Sequence, residues 1–174
     1  IAGGIKQSTD MAWLELGSIN CENELLTGPN EVYAVLVPGC SLAKPQKRWP
    51  PESFATLGAN LIARGIKVYV AGTKEDRVAV NRVLSYTPSI VDLSEKTNLP
   101  MLVKLFKGAS YVIGNDTGPV FLAAKTGAKT LMIMGPETDP AMSAPIGRAC
   151  TWLLGRPISN VSVSAALNSL DKLG

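Results

Sequence analysis

The stretch SYVIGNDTGPVFLAAKTGAKTLMIMG, residues 110–135, decides the fold. It opens with an apolar run, Tyr111 to Asn115, that lacks polar alternation, as in a strand buried on both faces. A polar junction follows, and Pro119 sits where a first helical turn tolerates the missing N–H. The apolar segment 118–126 then has helical character. Gly127 supplies the left-handed residue that closes such a helix, and 130–135 starts a second apolar run. Strand, helix and strand in this order imply two parallel strands joined by a right-handed crossover.

The same unit recurs upstream. Residues 32–37, 66–72 and 89–93 are further apolar runs, making five expected strands with 111–115 and 130–135. Helices are expected over about 52–64, with Phe54, Leu57, Leu61 and Ile62 as an apolar stripe, over 74–86, 98–108 and 118–126, and in the tail 161–173. Gly65 and Gly108 follow the same capping pattern as Gly127. The expected architecture is α/β, a Rossmann-like open parallel sheet with helices on both faces. Residues 1–31 show no period and read as an N-terminal segment or interdomain linker, with residues 32–174 forming the domain.

Composition narrows the chemistry. A chain of 174 residues at 46% hydrophobic content suits one domain with a real core. It contains no histidine, which removes Ser-His-Asp and Cys-His triads and every histidine-ligated metal site. Cys21, Cys40 and Cys150 lie far apart without a CxxC, so a reducing compartment is expected. Residues 1–31 hold one basic residue against five acidic ones, and the remainder is basic by sixteen to nine. That balance suits a phosphorylated small ligand. No basic cluster interleaved with aromatics points to nucleic acid, and no apolar run is long enough to span a bilayer. The chain begins Ile-Ala-Gly-Gly without Met or a signal peptide, as expected of a fragment or a processed chain.

In an open α/β sheet the ligand sits beyond the carboxyl ends of the strands, so the loops there carry the candidates. In GNDTGP (114–119), Asn115 or Asp116 can cap the following helix, while Thr117 and Gly118 expose amides to an anion. The plain alternative is an ordinary capped junction; Asp116 favours a ligand, because a carboxylate there can accept from a ligand hydroxyl. The long 38–51 loop holds Lys44, Lys47 and Arg48 beside Trp49. Lys47 and the Ser41 hydroxyl suit phosphate oxygens, although such residues also form solvated loops. Glu75 can accept from a ribose diol or simply complement a helix dipole. Glu137 and Asp139 form only a loose E-x-D pair, so no metal is expected. Trp13, Trp49 and Trp152 read as packing residues. Neither GxxxxGK[ST] nor GxGxxG occurs.

In order, K-R-W-P (47–50) with E-x-F (52–54), V-A-G-T-K-E-D (70–76), L-S-E-K-T-N-L (93–99), G-N-D-T-G-P-V-F-L-A-A (114–124) and M-G-P-E-T-D-P (134–140) resemble the C-terminal half of glycosyltransferase family 9, the ADP-heptose:lipopolysaccharide heptosyltransferases. The resemblance runs from about residue 32 to 140. It implies the two-domain GT-B architecture, with a nucleotide-sugar, expected to be ADP-linked, on this C-terminal domain. It also implies a lipopolysaccharide or other glycan acceptor held by an N-terminal domain that supplies the catalytic base. Lys47 and Ser41 are then expected at the diphosphate, Glu75 at the ribose and the 95–98 loop around Thr97 at the base. Asp116, Thr117 and Gly118 are expected along the phosphate and sugar, with Lys47 and Asp116 as the catalytic residues of this half. The implied reaction is inverting heptosyl transfer without a cofactor or metal, on the cytoplasmic side and at the inner membrane face. One position departs from the family: the motif normally continues D-T/S-G-P-x-H, and Phe121 stands at the histidine. That substitution keeps open a non-catalytic nucleotide- or sugar-binding module of the same fold. A flavin-binding domain is a third reading.

Overall fold

A computed structural model describes residues 31–173 apart from Leu42. The expected linker therefore lies, except for Glu31, outside the described residues. The strands are β1 (Tyr33–Val37), β2 (Lys67–Val70), β3 (Val91–Asp92), β4 (Tyr111–Asn115), β5 (Lys129–Met134) and β6 (Cys150–Leu154). The helices are α1 (Pro51–Ala63), α2 (Arg77–Tyr86), α3 (Leu99–Gly108), α4 (Gly118–Thr126), the single turn α5 (Pro140–Ser143) and α6 (Val163–Leu173). All strand pairs are parallel, in the order β3-β2-β1-β4-β5-β6.

The central strands explain why the apolar runs lack alternation. Ala34 and Leu36 of β1 face one core with Phe54, Leu57, Val80, Val83 and Leu170, which places α1, α2 and α6 on that side. Tyr33, Val35 and Val37 face the other with Leu105, Phe106, Val120 and Ala123 from α3 and α4. Both faces of the sheet are covered, as parallel sheets require. Among the described residues, no helix is long and apolar enough to cross a membrane.

The structure corrects four expectations. There are six strands rather than five: β6 pairs only with β5 and leaves Trp152 40% exposed, so this edge strand lacks a doubly buried apolar signature. For the same reason the 89–93 run contributes only the two residues of β3, which pair with β2 alone. The expected 74–86 helix begins with a 3-10 turn over Lys74–Asp76. Gly65 and Gly127 adopt left-handed φ of 79° and 87° as caps, but Gly108 does not. Gly108 is there for space: a Cβ on it would lie 2.5 Å from the Tyr33 hydroxyl, which donates to Leu105 O at 2.7 Å.

Candidate functional site

The strand order reverses between β1 and β4: β2 and β3 are laid to one side of β1, β4 to β6 to the other. Ligands bind at such a switch point, in the crevice past the strand carboxyl ends. A cleft of about 220 Å³ opens there, lined by Gly39, Gly72, Asp76, Thr97, Asn98 and Thr117 among others. Two expected site residues, Thr97 and Thr117, therefore face it.

Three side chains distant in sequence, Lys47, Asp116 and Thr138, meet past the end of β4. Lys47 Nζ lies 2.5 Å from Asp116 Oδ2, with the two side chains only 16% and 8% exposed. The Thr138 hydroxyl donates to the same Oδ2 at 2.8 Å. Among the described residues, Asp116 Oδ1 has no hydrogen-bond partner. The backbone is fixed as well, because Asp116 N donates to Ile133 O at 3.1 Å and the Cys40 thiol contacts Asp116 O at 3.6 Å. Burial, above all, raises the Cys40 thiol above its ordinary pKa, so it stays neutral beside this pair.

Asn115 does not cap α4, and neither does Asp116. The buried Asn115 side chain accepts the Trp49 amide at 2.9 Å and donates to Pro38 O at 2.8 Å, tying both ends of the 38–49 loop to the end of β4. Trp49 is buried against Phe54 with ring centroids 4.9 Å apart, and its indole N–H donates to Val161 O at 2.8 Å. Trp49 is thus a packing residue, as expected. Thr117 takes the N-cap position of α4 in extended backbone, and its side chain forms no cap bond. The first intrahelical bonds come from Val120 and Phe121 to Thr117 O. Among the described residues, the Thr117 and Gly118 amides have no partner. They stand at the positive end of the helix beside the Lys47–Asp116 pair, where an anion is favoured.

Neither Ser41 nor Glu75 lines the cleft. Ser41 is exposed, and its carbonyl accepts from Lys44 N at 3.1 Å. Glu75 is exposed and does not line the cleft; its neighbour Asp76 does. Asp76 Oδ2 accepts the Thr73 amide and hydroxyl, each at 2.9 Å, in a capping box. The Thr73-x-x-Asp76 spacing is the sequence signal that marks Asp76. Arg48 donates to Cys40 O. Asp139 caps α5 through Ala141 N at 2.9 Å, and among the described residues no group of three or more His, Cys, Asp or Glu could hold a metal ion. Asn98 caps α3, accepting from Met101 N at 3.0 Å. Phe121 is half-buried against the α3/α4-side core. Thr138, the third side chain at Asp116, escaped the sequence reading.

Residues 6–170 match glycosyltransferase family 9 (heptosyltransferase). The chain belongs to glycosyltransferase family 9. It is 30% identical over 112 residues to lipooligosaccharide heptosyltransferase 2 of Haemophilus influenzae, covering 62% of this chain and 32% of that protein. Among solved structures it is similar to the E. coli ADP-heptose lps heptosyltransferase II, with a TM-score of 0.76 at 22% identity over 84% of this chain and 47% of that one. It is also similar to the E. coli heptosyltransferase WaaC with ADP, with a TM-score of 0.74 at 22% identity over 83% and 45%. This family 9 chain thus spans about a third of its curated relative and less than half of the solved ones. The six-stranded parallel sheet is the fold those structures share with it.

Proposed function

We propose that this chain is the donor-binding half of an inverting glycosyltransferase that moves heptose, or a closely related sugar, from an ADP-linked donor to a lipopolysaccharide core acceptor. The observation that carries the reading is the convergence of Lys47 and Asp116 with the free amides of Thr117 and Gly118 at the start of α4, where Thr117 lines the switch-point cleft. Family membership and the relative solved with ADP support it.

In this reading the diphosphate lies across the start of α4. Lys47, a point charge on a flexible stem, turns part of its donor capacity from Asp116 to a phosphate oxygen. Asp116 Oδ1 accepts from a hydroxyl of the sugar, and the β2 and β3 loops around Thr97 face the nucleoside. An acceptor hydroxyl attacks the anomeric carbon from the opposite face, its proton passing to a base on the acceptor half. The bond from the anomeric carbon to the diphosphate oxygen breaks, and the electron pair leaves with ADP. Lys47 and the two amides stabilise the charge that grows there, and one such donor contributes about 3 kcal/mol to lowering a barrier. No metal or cofactor has a part in this scheme. We place the reaction on the cytoplasmic side, with any membrane contact made by the acceptor half. Asp76 is better placed than Glu75 for the ribose, since it lines the cleft.

Binding without transfer is the second reading, and Phe121 favours it: the side chain at the family's histidine position packs on the core. Calorimetry of this chain with ADP tests the donor site, and micromolar to low-millimolar binding is expected. A chain that binds neither ADP nor another nucleoside diphosphate at millimolar concentration sinks the reading. Joining the acceptor half and following ADP release with and without acceptor then separates enzyme from binder.

A further inference from the structure

The turn after β5 presents a buried hydroxyl to the carboxylate of Asp116. Thr138 is 3% exposed, and its amide donates to Gly135 O at 3.1 Å, closing a tight turn. Gly135 lets that turn press on the Pro45–Lys47 turn, since a Cβ on it would lie 2.7 Å from Gln46 O. The two turns therefore deliver Lys47 and Thr138 to the same oxygen, Asp116 Oδ2, at 2.5 and 2.8 Å.

The two partners are not equivalent. Lys47 carries a mobile charge that an incoming phosphate competes for, whereas the Thr138 hydroxyl is neutral and set in a packed turn. A carboxylate held by the lysine alone would follow the lysine as it turns toward an anion. With Thr138 on Oδ2, the carboxylate plane stays fixed and Oδ1 remains presented. We infer that Thr138 is a positioning residue for the donor sugar: it locks Asp116 so that Oδ1 accepts from a sugar hydroxyl while Lys47 moves to the diphosphate. The inference rests on the donor-site reading above and adds to it the residue that fixes the sugar acceptor.

The test compares ADP with ADP-heptose by calorimetry on the wild-type chain, Thr138→Val and Thr138→Ser. Valine keeps the shape and removes the hydroxyl; serine keeps the hydroxyl. The wild type is expected to bind ADP-heptose more tightly than ADP. Thr138→Val should bind ADP within about twofold of wild type and lose roughly tenfold of the sugar-dependent preference, the worth of one hydrogen bond to a charged acceptor. Thr138→Ser should restore it. Unchanged ADP affinity also reports that the valine variant is folded, and a purely structural threonine would not separate the two ligands. A valine variant that keeps the preference, or loses ADP binding along with it, overturns the inference, as does a serine variant that behaves like valine. A wild-type chain that binds neither nucleotide overturns the donor-site reading and the inference with it. A wild type that binds both equally overturns the inference alone.

Discussion

Asn115 holds Trp49 by its backbone: Asn115 Oδ1 accepts the Trp49 amide at 2.9 Å while its Nδ2 donates to Pro38 O at 2.8 Å. One buried side chain thereby pins both ends of the loop that carries Lys47 to the strand that ends at Asp116. Replacing it with alanine leaves a buried N–H and a buried carbonyl without partners. Each orphaned group costs about 1–3 kcal/mol, so Asn115→Ala is expected to lose about 3 kcal/mol in urea unfolding. It should also weaken ADP binding, because Lys47 is no longer delivered to Asp116 before α4. A variant as stable as wild type would show that the loop is held by Trp49 packing alone.

Lys47→Ala is expected to lower turnover about a hundredfold in a protein that carries its acceptor half, the effect of one lost electrostatic donor. It also leaves the nearly buried Asp116 carboxylate with Thr138 as its remaining side-chain partner among the described residues. Some loss of stability should therefore accompany the kinetic defect. Lys47→Arg keeps the charge but not the compact ammonium, and recovers only part of the rate. Steady-state rates and unfolding midpoints measured together check both effects, and near wild-type turnover in Lys47→Ala would remove Lys47 from the mechanism.

The sheet was legible wherever a strand is buried on both faces, because double burial writes an uninterrupted apolar run, as in β1, β4 and β5. It was not legible at β6, an edge strand with Trp152 partly in solvent. The site was legible as residue types and not as contacts. Lys47 and Asp116 each have the chemistry of a phosphate and sugar site, but local patterns do not show that they touch across 69 residues of chain. Thr138 reads as turn chemistry until the Gly135 turn is seen packed on Gln46. Glu75 and Asp76 differ in sequence by one place, and the capping box at Thr73 turns the second toward the cleft. Asn115 has the composition of a helix cap, but the Trp49 amide and Pro38 carbonyl take its hydrogen-bonding capacity first.

Gly39, which lines the cleft, and Gly118, the first residue of α4, should respond in opposite ways. A Cβ on Gly39 would overlap the Asp76 carboxylate, whereas one on Gly118 meets no atom within 4 Å. Gly39→Ala is therefore expected to push Asp76 off Thr73 and destabilise the chain by about 1–3 kcal/mol, the usual cost of overpacking. Gly118→Ala should leave stability within about 0.5 kcal/mol of wild type. If the Gly118 amide meets the diphosphate, the added methyl group intrudes on the ligand, and ADP affinity falls while the fold is intact. Thermal unfolding and calorimetry on the two variants distinguish these outcomes; a Gly118→Ala variant with unchanged ADP affinity would move the diphosphate away from α4.

Tyr33 makes stability depend on alkaline pH. Burial foremost, with the neighbouring Tyr69 and Glu31 charges, pushes its phenol from 10.0 up to about 12. The native state therefore keeps a proton that the unfolded chain releases. The resulting stabilisation is present in full below pH 10 and is lost as pH rises toward about 12. A two-unit shift corresponds to about 2–3 kcal/mol. Tyr33→Phe removes both the titration and the hydrogen bond to Leu105 O, and is expected to cost about 1 kcal/mol at pH 8. Between pH 10 and 12 the wild type should lose stability faster than the variant, so their unfolding curves converge or cross. Parallel slopes through that range would mean that Tyr33 ionises as freely in the folded chain as in the unfolded one, and that the space left by Gly108 admits water to the phenol.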